Sequence, residues 1–111
     1  MLVERLGLPR AMALAMTGEK LMADKAKEWG LIWDVADDCL AAALALADKL
    51  AVMPTKALVA TRHLLRDAGT RSLDAHLSVE RDTQSMLGKT HDYMEGVNAF
   101  LQKRAPQFTG E

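Results

Sequence analysis

Hydrophobic spacing divides the chain into short helical stretches punctuated by glycine and proline. Residues 6–18 place Pro9 in a first helical turn and Gly18 just beyond the last one. Apolar residues run almost all the way round this first helix, a pattern that calls for cover on several sides. Residues 21–30 predict a helix of about two turns closed by Gly30. Residues 31–35, with Ile32, Trp33 and Val35, form the one stretch with strand character, and a strand needs a partner to pair with.

Asp37 or Asp38 supplies the cap for a third helix reaching about Met53, with Leu40, Leu44, Ala47 and Ala51 at the helical period. Pro54 opens a fourth, whose Leu58, Thr61 and Leu65 are expected to face inward until Gly69 ends it. Thr70 or Ser72 caps a fifth through about Leu87, with Leu73, Leu77, Gln84 and Leu87 along one side. Gly88 closes it and Thr90 caps the last. In that last helix Gly96, Phe100 and Lys103 stand at i, i+4 and i+7 and so fall along one line. Pro106 cannot continue the helix, which should finish near Lys103 or Arg104. The pattern predicts an all-α protein of about six helices, at most one short strand, and a single helical domain over residues 1–111.

Composition adds limits. The 111 residues are 50% apolar and 26% charged, with 5% aromatic, a balance suited to helices packed on helices. A net charge of -1 with acids and bases interspersed argues against nucleic-acid binding, which needs a basic surplus on one face. The basic clusters are Arg62 with Arg66 and Lys103 with Arg104. No apolar run approaches the roughly 20 residues that span a bilayer, and the N-terminus lacks the order of a signal peptide. With a lone Cys39, which cannot staple the fold within the chain, a cytoplasmic location without a membrane partner is expected.

Candidate chemistry is sparse. His63, His76 and His91 form no pattern that puts two imidazoles on one helical face, so no metal site is expected. His76 with Glu80 and His91 with Glu95 are i,i+4 pairs, a spacing that more often marks solvated surface pairs than acid-base machinery. No glycine cluster can cradle a phosphate and no serine stands in a nucleophile elbow. Asp37 with Asp38, and Glu80 with Asp82, lack the convergent, dry geometry of a carboxylate pair. No catalytic residue is assigned.

The motifs taken in order do resemble a known family. Pro9-Arg10-Ala11, Thr17-Gly18-Glu19-Lys20, Ala23-Asp24-Lys25-Ala26 and Trp29-Gly30-Leu31 lead to Pro54-Thr55-Lys56-Ala57 and Leu73 to Glu80. The ending is Glu95-Gly96-Val97-x-Ala99-Phe100-x-x-Lys103-Arg104-x-Pro106-x-Phe108. Over the whole chain this resembles the crotonase superfamily, the enoyl-CoA hydratases and isomerases. Residues 29–35 and 104–110 are most similar to the branch that acts on ring-epoxidised phenylacetyl-CoA.

The resemblance implies the C-terminal helical region of that fold, the part that drives trimerisation. It implies that the N-terminal ββα spiral, with its oxyanion-hole amides and acidic catalytic residues, is absent. A chain without that hole lacks the contribution that usually stabilises a thioester enolate most, so it is expected to be inactive alone. The resemblance further implies that Phe100 lines or closes an acyl pocket, that Lys103 reaches the CoA phosphates and that Arg104 assists. Where the family commonly carries an upstream aromatic, this chain has Gln84. No cofactor is implied beyond acyl-CoA as the substrate of the complete enzyme; the partner implied is the chain itself, as a homo-oligomer in which helices can swap. The contrasting expectation is a helical self-association module with neither catalysis nor CoA binding.

Overall fold

The computed structural model describes residues 2–111. Six helices follow one another: α1 (Leu2–Thr17), α2 (Ala23–Glu28), α3 (Cys39–Ala51), α4 (Thr55–Asp67), α5 (Leu73–Leu87) and α6 (His91–Leu101). The all-α expectation holds, and residues 31–35 form bends and loop with no strand among the described residues. The chain divides into two compact units, one reaching to Ala43 and the other running from Leu44 to Glu111, with the division inside α3.

In the first unit, α1 starts before Pro9 and is broken at Gly7, whose φ of 73° and ψ of 163° lie in a region essentially reserved for glycine. Pro9 sits just after that break, where its missing N–H does least harm. Leu6 and Ala11 are its buried residues; Val3, Leu8, Met12 and Met16 stay exposed. The cover that the all-round apolar pattern called for is therefore not supplied by the chain around α1. Arg10 spreads over the Trp29 ring at 5.2 Å and Lys25 approaches the same ring at 5.8 Å.

The end of α2 is a Schellman turn. Leu31 N–H donates to Ala26 O and Gly30 N–H to Lys27 O, both at 2.9 Å, while Gly30 adopts φ 76°. Lys27 then pairs with Asp34 at 2.6 Å, and the Asp34 Oδ1 also accepts the Val35 N–H. These polar bonds hold the loop after Gly30, and the apolar residues 31–35 have no partner strand among the described residues.

Each uncertain cap resolves. Asp38 accepts the Ala41 N–H at 2.9 Å and so opens α3, and Ser72 accepts the Ala75 N–H at 3.4 Å at the start of α5. The apolar stripes behave differently from expectation. Helices α3, α4 and α5 contain no buried residue. Leu65, expected to face inward, is exposed, and so are Leu40, Leu44, Leu73 and Leu77 of the neighbouring stripes. An amphipathic stripe records that a face is to be covered and says nothing of what covers it.

Candidate functional site

The second unit gathers the sequence-predicted site residues on α6 and on the ten residues after it. Thr90 opens α6, its hydroxyl donating to Leu87 O at 2.7 Å and accepting the Tyr93 N–H at 3.2 Å. The helix stops at Leu101, two residues short of the expected end, and closes in a second Schellman turn. Arg104 N–H donates to Ala99 O at 3.0 Å and Lys103 N–H to Phe100 O at 3.2 Å. Lys103 occupies the left-handed position with φ 52°, where glycine is the usual choice. For a residue with a side chain that conformation costs about 1–2 kcal/mol.

Beyond the turn the chain runs back along α6 as an extended strap, held by two carboxylates one helical turn apart. Glu95 takes Arg104 in a two-pronged pair, Nη1 to Oε1 at 2.6 Å and Nη2 to Oε2 at 2.8 Å, and its Oε1 also accepts the Gln107 N–H at 2.7 Å. Hydrogen bonding from Arg104, reinforced by the Gln107 N–H, draws the Glu95 carboxyl down to about 2. The Arg104 pKa is raised, first by that same bond.

Asp92, only 4% exposed, accepts Thr109 N–H at 2.7 Å and Gly110 N–H at 2.8 Å, with the Thr109 hydroxyl at 3.3 Å. Burial works to raise the Asp92 carboxyl, but these bonds and one from His91 together hold it below its ordinary value. Asp92 N–H in turn donates to Glu111 O at 3.0 Å. The strap brings the Phe108 ring over Gly96, its Cε1 3.6 Å from where a Cβ would stand. Gly110 likewise lies against Thr55 at the start of α4.

An open apolar groove of about 410 Å³ lies beside this strap. Tyr93, Gly96, Val97, Phe100, Leu101 and Phe108 form its α6 and strap side, and Pro54, just before α4, and Ala57, on it, add to the lining. Phe100 stands 83% exposed on its wall. Gly96 and Phe100 both line the groove, but Lys103, expected at i+7 on the same helical line, lies beyond the helix end at Leu101 in the left-handed turn.

The two adjacent cations have different fates. Arg104 is committed: besides Glu95, its Nε donates to Gln102 Oε1 at 2.8 Å and its Nη1 to Ala105 O at 3.1 Å. Lys103 is exposed and, among the described residues, carries no side-chain hydrogen bond or ion pair. The other pairs singled out from sequence do not form sites. Glu80 accepts from Gln84 Nε2 at 3.3 Å, and His76 Nδ1 has no hydrogen-bond partner. His91 leans toward Thr109 at 3.4 Å and Asp92 at 3.7 Å. Cys39 is exposed and free. No helix among the described residues is long and apolar enough to cross a membrane.

Asp92 and Gln107 are the functional-looking residues that spacing did not single out, and Glu95 was paired with His91 instead of Arg104. The available signal was two acids at i and i+3 followed by a proline-broken tail, whose free N–H groups need acceptors.

Residues 1–111 match the family model described as Enoyl-CoA hydratase/isomerase. The 1,2-epoxyphenylacetyl-CoA isomerase of Escherichia coli strain K12 is 49% identical over 107 residues, which cover 95% of this chain and 41% of that protein. The 2,3-dehydroadipyl-CoA hydratase of the same strain is 39% identical over 111 residues, covering 98% and 44% respectively. Among solved structures, an enoyl-CoA hydratase from Mycobacterium tuberculosis H37Rv superimposes with a TM-score of 0.89 at 34% identity, over 99% of this chain and 44% of that one. One from Bacillus anthracis gives 0.90 at 30% identity, over 99% and 43%. The chain spans less than half the length of the relatives it matches. A family match over its whole length, together with a relative 49% identical over 95% of the chain, makes this chain a member of the enoyl-CoA hydratase/isomerase family, similar among its relatives to 1,2-epoxyphenylacetyl-CoA isomerase.

Proposed function

We propose that this chain forms the C-terminal helical part of an acyl-CoA isomerase or hydratase of the 1,2-epoxyphenylacetyl-CoA type, contributing one edge of the CoA site and a self-association surface. The observation that carries the reading is the contrast on the α6 turn: Lys103 is left free while Arg104 is consumed by Glu95. An ammonium with three donors and no partner suits a phosphate group. Phe100, exposed on the wall of the apolar groove, suits the acyl end of the same ligand. Arg104 contributes through the turn it holds, four of its five N–H donors being engaged there.

Titration calorimetry of CoA with the 111-residue chain tests this. Lys103→Ala should weaken binding on the order of tenfold, and added salt should erode the difference. Equal affinity in Lys103→Ala would overturn the CoA assignment. For turnover, a ring-epoxide isomerisation assay should show none from this chain alone; activity abolished by Lys103→Ala would sink the expectation of inactivity.

The exposed leucines of α3, α4 and α5 favour a second reading, a helical self-association module with no ligand chemistry. Sedimentation separates the two. That module associates without binding CoA, whereas a well-behaved monomer at micromolar concentration removes the self-association surface from both readings.

A further inference from the structure

Lys103 is held in an unfavourable backbone conformation at a position where glycine would fit without strain. A left-handed lysine persists only when its surroundings determine it, and such an outlier is grounds for asking what it serves. The surroundings are specific. The residues on either side of Lys103 are joined through one guanidinium, because Arg104 Nε donates to Gln102 Oε1 at 2.8 Å. That guanidinium is anchored on α6 by both oxygens of Glu95, at 2.6 and 2.8 Å. The strap is fastened at the same point, since Glu95 Oε1 accepts the Gln107 N–H at 2.7 Å. Glu95 is itself largely shielded, its side chain 14% exposed.

We infer that Glu95 is a positioning residue for the anion contact of Lys103: by gripping Arg104 and Gln107 it fixes the left-handed turn and so the direction from which the free ammonium meets a phosphate. This inference rests on the CoA reading above. Glu95 itself touches no ligand in this account; it acts through Arg104 and the backbone of residues 102–107. A lysine on an untethered turn would sample other backbone states, and binding would have to select the competent one, lowering apparent affinity by the fraction populated.

The test is a double-mutant cycle on CoA affinity, with backbone amide exchange at Lys103 and Arg104 as an independent reading of the turn. Glu95→Gln should weaken CoA binding nearly as much as Lys103→Ala, speed exchange at both amides, and cause no further loss in the Lys103→Ala background. Independent, additive losses would overturn the positioning role, because a general structural defect weakens binding with or without the lysine. Unchanged affinity and exchange in Glu95→Gln would overturn it too, leaving the CoA reading standing. If Lys103→Ala alone binds CoA as well as the parent, the CoA reading falls and the positioning role with it. Should Glu95→Gln fail to fold, Arg104→Lys serves instead: it keeps the charge, loses the two-pronged grip, and should give a smaller, likewise non-additive loss.

Discussion

The same turn is built twice in this molecule from different residues. At the end of α2 and at the end of α6 the chain makes the same pair of backbone bonds, from Leu31 to Ala26 and from Arg104 to Ala99 in one place each, with a left-handed residue between. That residue is Gly30 in the first turn and Lys103 in the second. Gly30 adopts the conformation without steric cost, and the turn's own bonds are backbone to backbone. Lys103 meets a Cβ penalty, and there a salt bridge, a second arginine bond and a backbone N–H are arranged around it. A glycine turn serves to end a helix. The lysine turn ends a helix and also presents a charge, and there the side-chain bonds grip the residues flanking the left-handed position, whereas the Lys27–Asp34 pair of the first turn joins α2 to the loop beyond it.

Acid should separate the two turns most widely. Glu95, drawn to about 2 from 4.5, contributes stability that is complete above the ordinary carboxylate range and is lost as pH falls through about 2, and Asp92, also lowered, acts in the same direction. The Gln107 amide chemical shift should therefore titrate with Glu95, half-way near pH 2, and those of Thr109 and Gly110 should move in acid with Asp92. Those of Gly30 and Leu31, bonded to carbonyls, should stay; parallel titration of both sets would remove the distinction.

Substitution sharpens it further. Gly30→Lys places a side chain at φ 76° with no tether to hold it and should cost about 1–2 kcal/mol in thermal unfolding. The reverse exchange, Lys103→Gly, should leave the melting point equal or raise it by no more than about 1 kcal/mol equivalent while abolishing the ligand effect of the lysine. A large loss of stability in Lys103→Gly would mean that the lysine side chain itself holds the turn. Smallest is Arg10→Ala, which removes the guanidinium over Trp29 beside the α2 turn and should cost about 0.5–1 kcal/mol.

Much of this was legible locally. Asp38, Ser72 and Thr90 cap where a short polar side chain precedes an apolar period, since the donors they satisfy lie within three residues. Gly18 and Gly30 stop helices for the same local reason. The inward face expected of Leu65 is exposed, as are Leu40 and Leu73, because periodicity identifies an apolar face without identifying its partner. The strand character of residues 31–35 is not realised because no partner strand exists among the described residues, a circumstance outside any propensity scale, and the Lys27–Asp34 pair lies alongside the resulting loop.

At α6 the division is sharpest. The sequence by itself determined a capped helix, an aromatic and a basic pair near its end, and a proline that forbids continuation, all of them consequences of short-range sterics and hydrogen bonding. Only the tertiary structure decided which cation is free. Arg104 and Glu95 lie nine positions apart, and Thr109 and Asp92 seventeen, separations that no helical period connects. They meet because the strap folds back along α6, where the N–H groups of an extended tail find the acceptors that a helix or sheet would otherwise supply.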